Sequence, residues 1–263
     1  MTDEIKKQPN GSVSFQLEIP WEKIQTTYQQ LLKQTAQHLE IKGFRKGKAP
    51  LPLVEKHLDP NKVYGRALEK LLPQIYSQFI RKHHLKPLTE PKITPVKAKL
   101  GEPWTFKVEI AEKPQVKLGN YKTYLKKALQ SFKAPKKDPQ DKKLKLIFDT
   151  LLEKAQLEVA DLLVETEYKA AISKLVHQLD HLNLTLEDYA HSLKKSLDQL
   201  IEEYKTTAQD KLKLEFILSR LIEIEKPTIK DGELAKFKAK PEDQAYFKYL
   251  LQKQKVIDNL LKL

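Results

Sequence analysis

The chain has 263 residues, 32% of them charged, and a formal net charge of +13 carried mostly by lysine. That length exceeds the usual single domain, so two domains are expected, and the basic balance favours an anionic partner such as RNA while also serving solubility. The absence of cysteine excludes a disulfide framework and thiolate chemistry, and no apolar run approaches the roughly 20 residues of a membrane span. Met1 to Asn10 is polar and lacks the apolar run of a signal peptide, so a cytoplasmic protein is expected.

Ser12 to Ile19 alternates apolar and polar residues, with Val13, Phe15, Leu17 and Ile19 on one side, the period-two pattern of a half-buried strand. Pro20 ends it. From Trp21 the spacing turns helical, placing Ile24, Tyr28, Leu31, Leu32, Thr35 and Leu39 on one face of a helix that Gly43 stops. Next comes Gly43-Phe44-Arg45-Lys46-Gly47-Lys48-Ala49-Pro50. Two of the chain's seven glycines, four apart, bracket an aromatic residue and two cations between segments that both read as helix. Glycine reaches positive φ without steric cost, so the pair predicts a tight, shaped turn. Inside it Phe44 has nowhere to bury its ring except against something outside the loop, and Arg45 and Lys46 can point the same way.

Pro50 and Pro52 suit the first turn of a short helix over Leu51 to Leu58, and Asp59-Pro60-Asn61 restarts the chain. Lys62 to His84 carries a wide apolar stripe that must pack on a sheet, with Pro73 predicting a kink or break. Strands follow at Lys92 to Leu100 and Trp104 to Ile110, joined at Gly101-Glu102-Pro103. The first half is therefore an α+β unit: a small antiparallel sheet covered by helices on one side, with the glycine-bracketed loop at the end of a protruding helical hairpin.

Residues 122–145 carry nine lysines against two aspartates, with Pro135, Pro139 and few apolar residues, and read as a connector. From Leu144 onward the pattern is helical throughout, an all-α, extended multi-helix domain. Leu144, Ile147, Phe148, Leu151, Leu152 and Ala155 form one stripe; Tyr168, Ala171, Ile172, Leu175, Val176, Leu179 and Leu182 form a second. Thr185 with Asp188 makes a capping box and Leu184 with Tyr189 a hydrophobic staple. A long helix spans about Leu193 to Glu225, Pro227 closes it, Thr228 and Asp231 cap a short successor, and Pro241 opens the last helix.

The GFRKGKAP stretch, preceded by a helical segment ending Leu39-Glu40-Ile41-Lys42, closely resembles the ribosome-docking signature of bacterial trigger factor, a chaperone family that meets nascent chains at the ribosomal exit tunnel. The similarity extends through residues 12 to about 118 and, more weakly, 144 to 263. The resemblance implies a ribosome-docking domain over residues 1–118, a Lys-rich linker over 119–143 and a helical chaperone domain over 144–263. Family members usually carry a prolyl isomerase domain between the two. Here the interval from Tyr121 to Lys143 is 23 residues, well below the roughly 50 a domain with its own core requires, so that domain is expected to be absent and the chain not to be an enzyme.

On the resemblance, Phe44 fills an apolar pocket on a ribosomal protein of the large subunit while Arg45 and Lys46 meet acidic groups or rRNA phosphate; Gly43 and Gly47 set the turn and Pro50 anchors the next helix. The bland alternative is an ordinary interhelical connection with a partly buried phenylalanine. Phe148, Tyr246, Phe247, Tyr249 and Leu250 are the expected contact for nascent or unfolded polypeptides, although apolar stripes are more often core. His177 and His181 lie four apart on a helix, as a metal pair would, but without cysteine and with only Asp180 and Glu187 nearby a surface or packed pair is the better reading. The Lys-rich interval is either a solvated connector or a second phosphate contact through Lys126, Lys127, Lys136 and Lys137. No nucleotide, membrane, metal or cofactor site is expected. Two rivals remain: a basic rRNA-binding or ribosome-assembly factor, and a peptidyl-prolyl isomerase by family name alone.

Overall fold

The structure is a computed structural model and describes residues 4–133, 138–235, 240 and 243–263. Pro135, Lys136, Lys137 and Pro241, singled out above, lie outside the described residues. The chain forms two compact units, one of residues 4–7 with Val13–Glu112 and the other of Gln8–Ser12 with Lys113–Leu263.

The first unit runs β1 (Lys6–Lys7), β2 (Ser12–Ile19), α1 (Trp21–Ala36), α2 (Leu51–His57), α3 (Pro60–Lys82), β3 (Lys92–Lys97) and β4 (Trp104–Ala111). These strands form one four-stranded antiparallel sheet in the order β1-β2-β4-β3. The alternating residues of β2 and β4 face the core, where Phe15 stacks on Phe79 of α3 with ring centroids 4.2 Å apart. Ile19, Ile24, Leu71, Trp104 and Phe106 continue that core, and the Trp104 indole N–H donates to the Lys99 carbonyl at 3.0 Å, closing the β3–β4 hairpin. A further cluster, built from Tyr28, Leu32, Ile41, Val54 and Val63, joins α1, α2 and α3 beneath the glycine-bracketed loop.

The second unit comprises α4 (Tyr121–Gln130), α5 (Pro139–Lys154), α6 (Asp161–Asp180), α7 (Leu186–Ser192), α8 (Leu197–Glu225), α9 (Asp231–Ala235) and α10 (Gln244–Leu261). Its core lies where α4, α5, α8 and α10 meet: Leu125, Ile147, Leu151, Ile217, Leu221, Val256 and Leu260 are all buried there. The expected capping box is present, with Asp188 N–H donating to Thr185 Oγ1 and Thr185 N–H donating to Asp188 Oδ2. The α6 helix packs mainly along α8.

Several expected boundaries move. α1 ends at Ala36 rather than at Gly43. The apolar spacing continues past its end because Leu39 and Ile41 turn back to pack against the same cluster as Tyr28 and Val54. α3 runs unbroken through Pro73, an exposed position where solvent can satisfy the carbonyl that proline leaves without a donor. α8 starts at Leu197, behind a Ser196–Gln199 capping box. The largest difference is the interval 119–143. Instead of a plain connector it contains α4, with Tyr121 and Leu125 buried, and α5 already begins at Pro139. The Tyr121 hydroxyl donates to Glu225 Oε1 at 3.0 Å, and burial together with that carboxylate pushes the phenol up to about 12. The second helical stripe is also only partly interior: of its residues Leu179 alone is buried, while Leu182 is 66% exposed.

Candidate functional site

The loop from Gln37 to Pro50 is held from below and open above. The Thr35 carbonyl accepts from the N–H groups of His38 and Leu39, both at 3.1 Å, which turns the chain out of α1. Ile41 is buried in the α1–α2–α3 cluster, with Leu39 and Ala49 packed beside it. Within the loop Phe44 N–H donates to the Ile41 carbonyl, Gly47 N–H to Leu39 and Lys48 N–H to Arg45. Its base is stiffened by Tyr28, whose ring stacks on Tyr64 at 4.4 Å and whose hydroxyl donates to Glu55 at 2.9 Å. Burial and the Glu55 carboxylate push that phenol up to about 12.

Both bracketing glycines have positive φ, +90° at Gly43 and +75° at Gly47. They are not equivalent. A Cβ on Gly47 would lie 2.9 Å from the Gln37 backbone oxygen, whereas one on Gly43 meets nothing within 4 Å. Alanine at Gly43 therefore costs only the conformational term, about 1–2 kcal/mol, and alanine at Gly47 adds a backbone clash to it. Urea unfolding of the two variants is expected to show the larger drop in midpoint for Gly47→Ala; equal drops would refute this reading of the loop.

With its base fixed, the loop presents its middle. Phe44 is 45% exposed, and Arg45 and Lys46 are exposed beside it. Among the described residues Arg45 has neither a hydrogen bond nor an ion pair from its side chain, and Lys46 only reaches Glu40 at 4.0 Å. An exposed ring next to an unpaired guanidinium can fill an apolar pocket and donate to a carboxylate or phosphate at once.

The five residues expected to meet unfolded chains differ in exposure. Phe148 and Tyr249 are half-buried and pack against the core of the second unit. Phe247 is half-buried, with its ring 5.7 Å from that of Tyr246; Tyr246 and Leu250 are exposed at 61% and 37%, one turn apart on α10. Tyr249 donates to Glu215 Oε1 at 2.5 Å, and Lys253 also pairs with Glu215. Burial alone would raise the Glu215 carboxyl, but the Lys253 and Tyr249 donors outweigh it and leave its pKa below the usual value. Burial and Glu215 push the Tyr249 phenol upward.

A lowered folded-state pKa stabilises above the ordinary carboxylate value, and that contribution is lost as pH falls through the folded value. Tyr249→Phe is expected to lose about 1–2 kcal/mol at neutral pH, with the difference from wild type shrinking at acidic pH, below the ordinary carboxylate range, as Glu215 protonates. Chemical denaturation at the two pH values checks it, and a pH-independent difference counts against it.

Family models settle the lineage. The model described as bacterial trigger factor protein matches residues 1–147, and the model of its C-terminus matches residues 117–262. The chain belongs to the trigger factor family. Trigger factors of Moorella thermoacetica and Natranaerobius thermophilus are 31% and 30% identical to it over 121 and 122 residues, 46% of this chain and 27% of each relative. The Staphylococcus aureus trigger factor is 30% identical over 122 residues, 46% of this chain and 28% of its own length. The chain thus spans under a third of the curated trigger factors it matches. A solved structure from work on promiscuous substrate recognition in folding and assembly by the trigger factor chaperone superposes with a TM-score of 0.66. That likeness covers 98% of this chain and 99% of the other at 15% identity, and so speaks for the fold.

In this member of the family, apolar surface is also open where the sequence pointed elsewhere. Leu182, Leu184 and Leu193, around the ends of α7, are exposed at 66%, 42% and 42%, and Val176 lies exposed on α6 nearby in sequence. The signal was present as an excess: α6 has more apolar positions than a helix packed mainly on one neighbour can bury. His177 and His181 are exposed. Among the described residues no group of three potential metal ligands gathers, and no helix is long and apolar enough to cross a membrane.

Proposed function

We propose that this protein is a nucleotide-independent chaperone of the cytoplasm that docks on the large ribosomal subunit through Phe44, Arg45 and Lys46. Its helical unit then shields apolar stretches of emerging chains. The observation that carries the reading is the loop itself: an exposed ring and an unpaired guanidinium held out by two positive-φ glycines and a buried Ile41. Family membership supports it, since it supplies the ribosome as the place where such a loop acts.

Shallow apolar contacts at Tyr246 and Leu250 and around Leu182, Leu184 and Leu193 suit varied clients better than one deep pocket, because such surfaces can repack. An isomerase domain has no place in this reading: α4 and α5 occupy the interval between the two expected functional regions. The test has two arms. The chain should pellet with purified ribosomes through a sucrose cushion, and it should suppress aggregation of a chemically denatured protein without added nucleotide. Failure to pellet would remove the docking role; tight binding to naked rRNA without aggregation suppression would favour an assembly factor instead. Acceleration of proline-limited refolding would restore the isomerase reading.

A further inference from the structure

In the Lys-rich interval the exposed lysines lie apart from the core that α4 joins. On α4 the inward side chains are Tyr121 and Leu125, both buried, with Tyr124, Ala128 and Leu129 half-buried beside them. The opposite face carries Lys122, Lys126 and Lys127 with Thr123 and Gln130, all exposed, and the helix has no acidic residue. With Leu125 fully buried, α4 cannot roll to hide these charges.

Several lysines elsewhere in the same unit are neutralised by a nearby carboxylate. Lys169, Lys195, Lys205, Lys211, Lys253 and Lys255 each meet a glutamate. Among the described residues Lys126 and Lys127 have no such partner, and Lys122 has only the ring of Tyr121, 5.8 Å away. The acidic residues of the interval, Asp138 and Asp141, lie at the start of α5, where a helix N-terminus favours negative charge.

Next to this face an open groove of about 630 Å³ runs between α4 and α5, lined by Lys126, Gln130, Gln140 and Lys143 with Leu129 and Phe132. A row of unpaired cations leading to a groove that contains an aromatic ring is the arrangement that tracks a nucleic-acid backbone and accepts an unstacked base. An anionic membrane would instead require exposed apolar side chains among the lysines, and here the apolar side of α4 is committed to the core.

We propose that the exposed face of α4 is a second docking surface, which binds the phosphate backbone of RNA. It rests on the ribosomal reading only for which RNA is met, and it is tested without ribosomes. The full chain is titrated against a fluorescein-labelled RNA hairpin over a range of KCl concentrations. Lys122→Gln/Lys126→Gln/Lys127→Gln is compared with a charge-matched control, Lys195→Gln/Lys205→Gln/Lys211→Gln.

If each α4 lysine neutralises one phosphate, the slope of log affinity against log salt becomes shallower by about 2–3 in the first variant, while the control stays near wild type. Equal losses in both variants, or none in the first, overturn the proposal by making the charge diffuse or idle. Binding to equimolar phosphatidylserine–phosphatidylcholine vesicles with the same dependence on the α4 lysines overturns it in favour of a membrane. Phe44→Ala, which removes no cation, should bind the hairpin normally and pellet less with ribosomes, so the two readings can fail separately.

Discussion

Replacing Phe44 and Arg45 together by alanine is expected to abolish co-sedimentation with ribosomes while leaving the fold intact. Both side chains are exposed, and among the described residues the guanidinium has no partner, so their removal should change stability by no more than about 0.5 kcal/mol. Binding responds differently. Burying one phenylalanine yields about 1.5–3 kcal/mol, and a charge-assisted hydrogen bond a further 1.5–3 or so, against an association cost of about 4–15. A loop working on that margin holds its partner weakly and reversibly, which suits a chaperone that must leave. Removing about 3–6 kcal/mol weakens binding by roughly 100- to 20,000-fold, beyond what pelleting detects. Circular dichroism and thermal unfolding establish the fold; undiminished pelleting would end the docking assignment.

The loop was legible because glycine is scarce. Seven glycines in the chain leave little room for a pair four apart by chance, and both take the positive φ that their spacing implied. What periodicity could not show was where α1 stops. Leu39 and Ile41 keep the helical rhythm, but they serve as anchors folded back under the loop, and a rhythm of apolar residues does not distinguish a helix face from such a return. β2 and β4 were legible for the opposite reason: residues such as Val13, Phe15, Leu17 and Ile19 alternate, and few other conformations put every second residue inside, whereas β1 carried no such pattern and β3 ends at Lys97 rather than Leu100.

The same limit explains the second unit. Tyr249 and Leu250 are neighbours in an apolar run, yet one donates to a carboxylate against the core and the other is open to solvent. Which side of a helix is covered depends on its neighbours, and the sequence does not name them. α4 was hidden in another way, since three inward residues four apart, Tyr121, Leu125 and Leu129, are outvoted in composition by the lysines around them. A narrow buried stripe is enough to seat a ten-residue helix when the site it enters is already apolar.

Leu125→Ala distinguishes a seated helix from a connector. The side chain is fully buried among Ile147, Leu151, Ile217, Leu221, Val256 and Leu260, contributed by α5, α8 and α10. Truncation there removes transfer energy and leaves a cavity, about 2–5 kcal/mol in all. In a solvated connector the same change would stay within about 0.5 kcal/mol. For a unit of this size each kcal/mol moves the midpoint by about 2–4 °C, so a fall of roughly 5–15 °C is expected. Two compact units need two probes, because a single unfolding free energy is not defined for a chain whose parts can melt separately. Trp21 and Trp104, the only tryptophans, both belong to the first unit, so their fluorescence should keep its transition while the helical signal at 222 nm shifts. Lys126→Ala, one residue away and exposed, should leave both unchanged. A Leu125→Ala variant as stable as Lys126→Ala would mean that α4 contributes nothing to the core, and the fixed presentation of its lysines would fall with it.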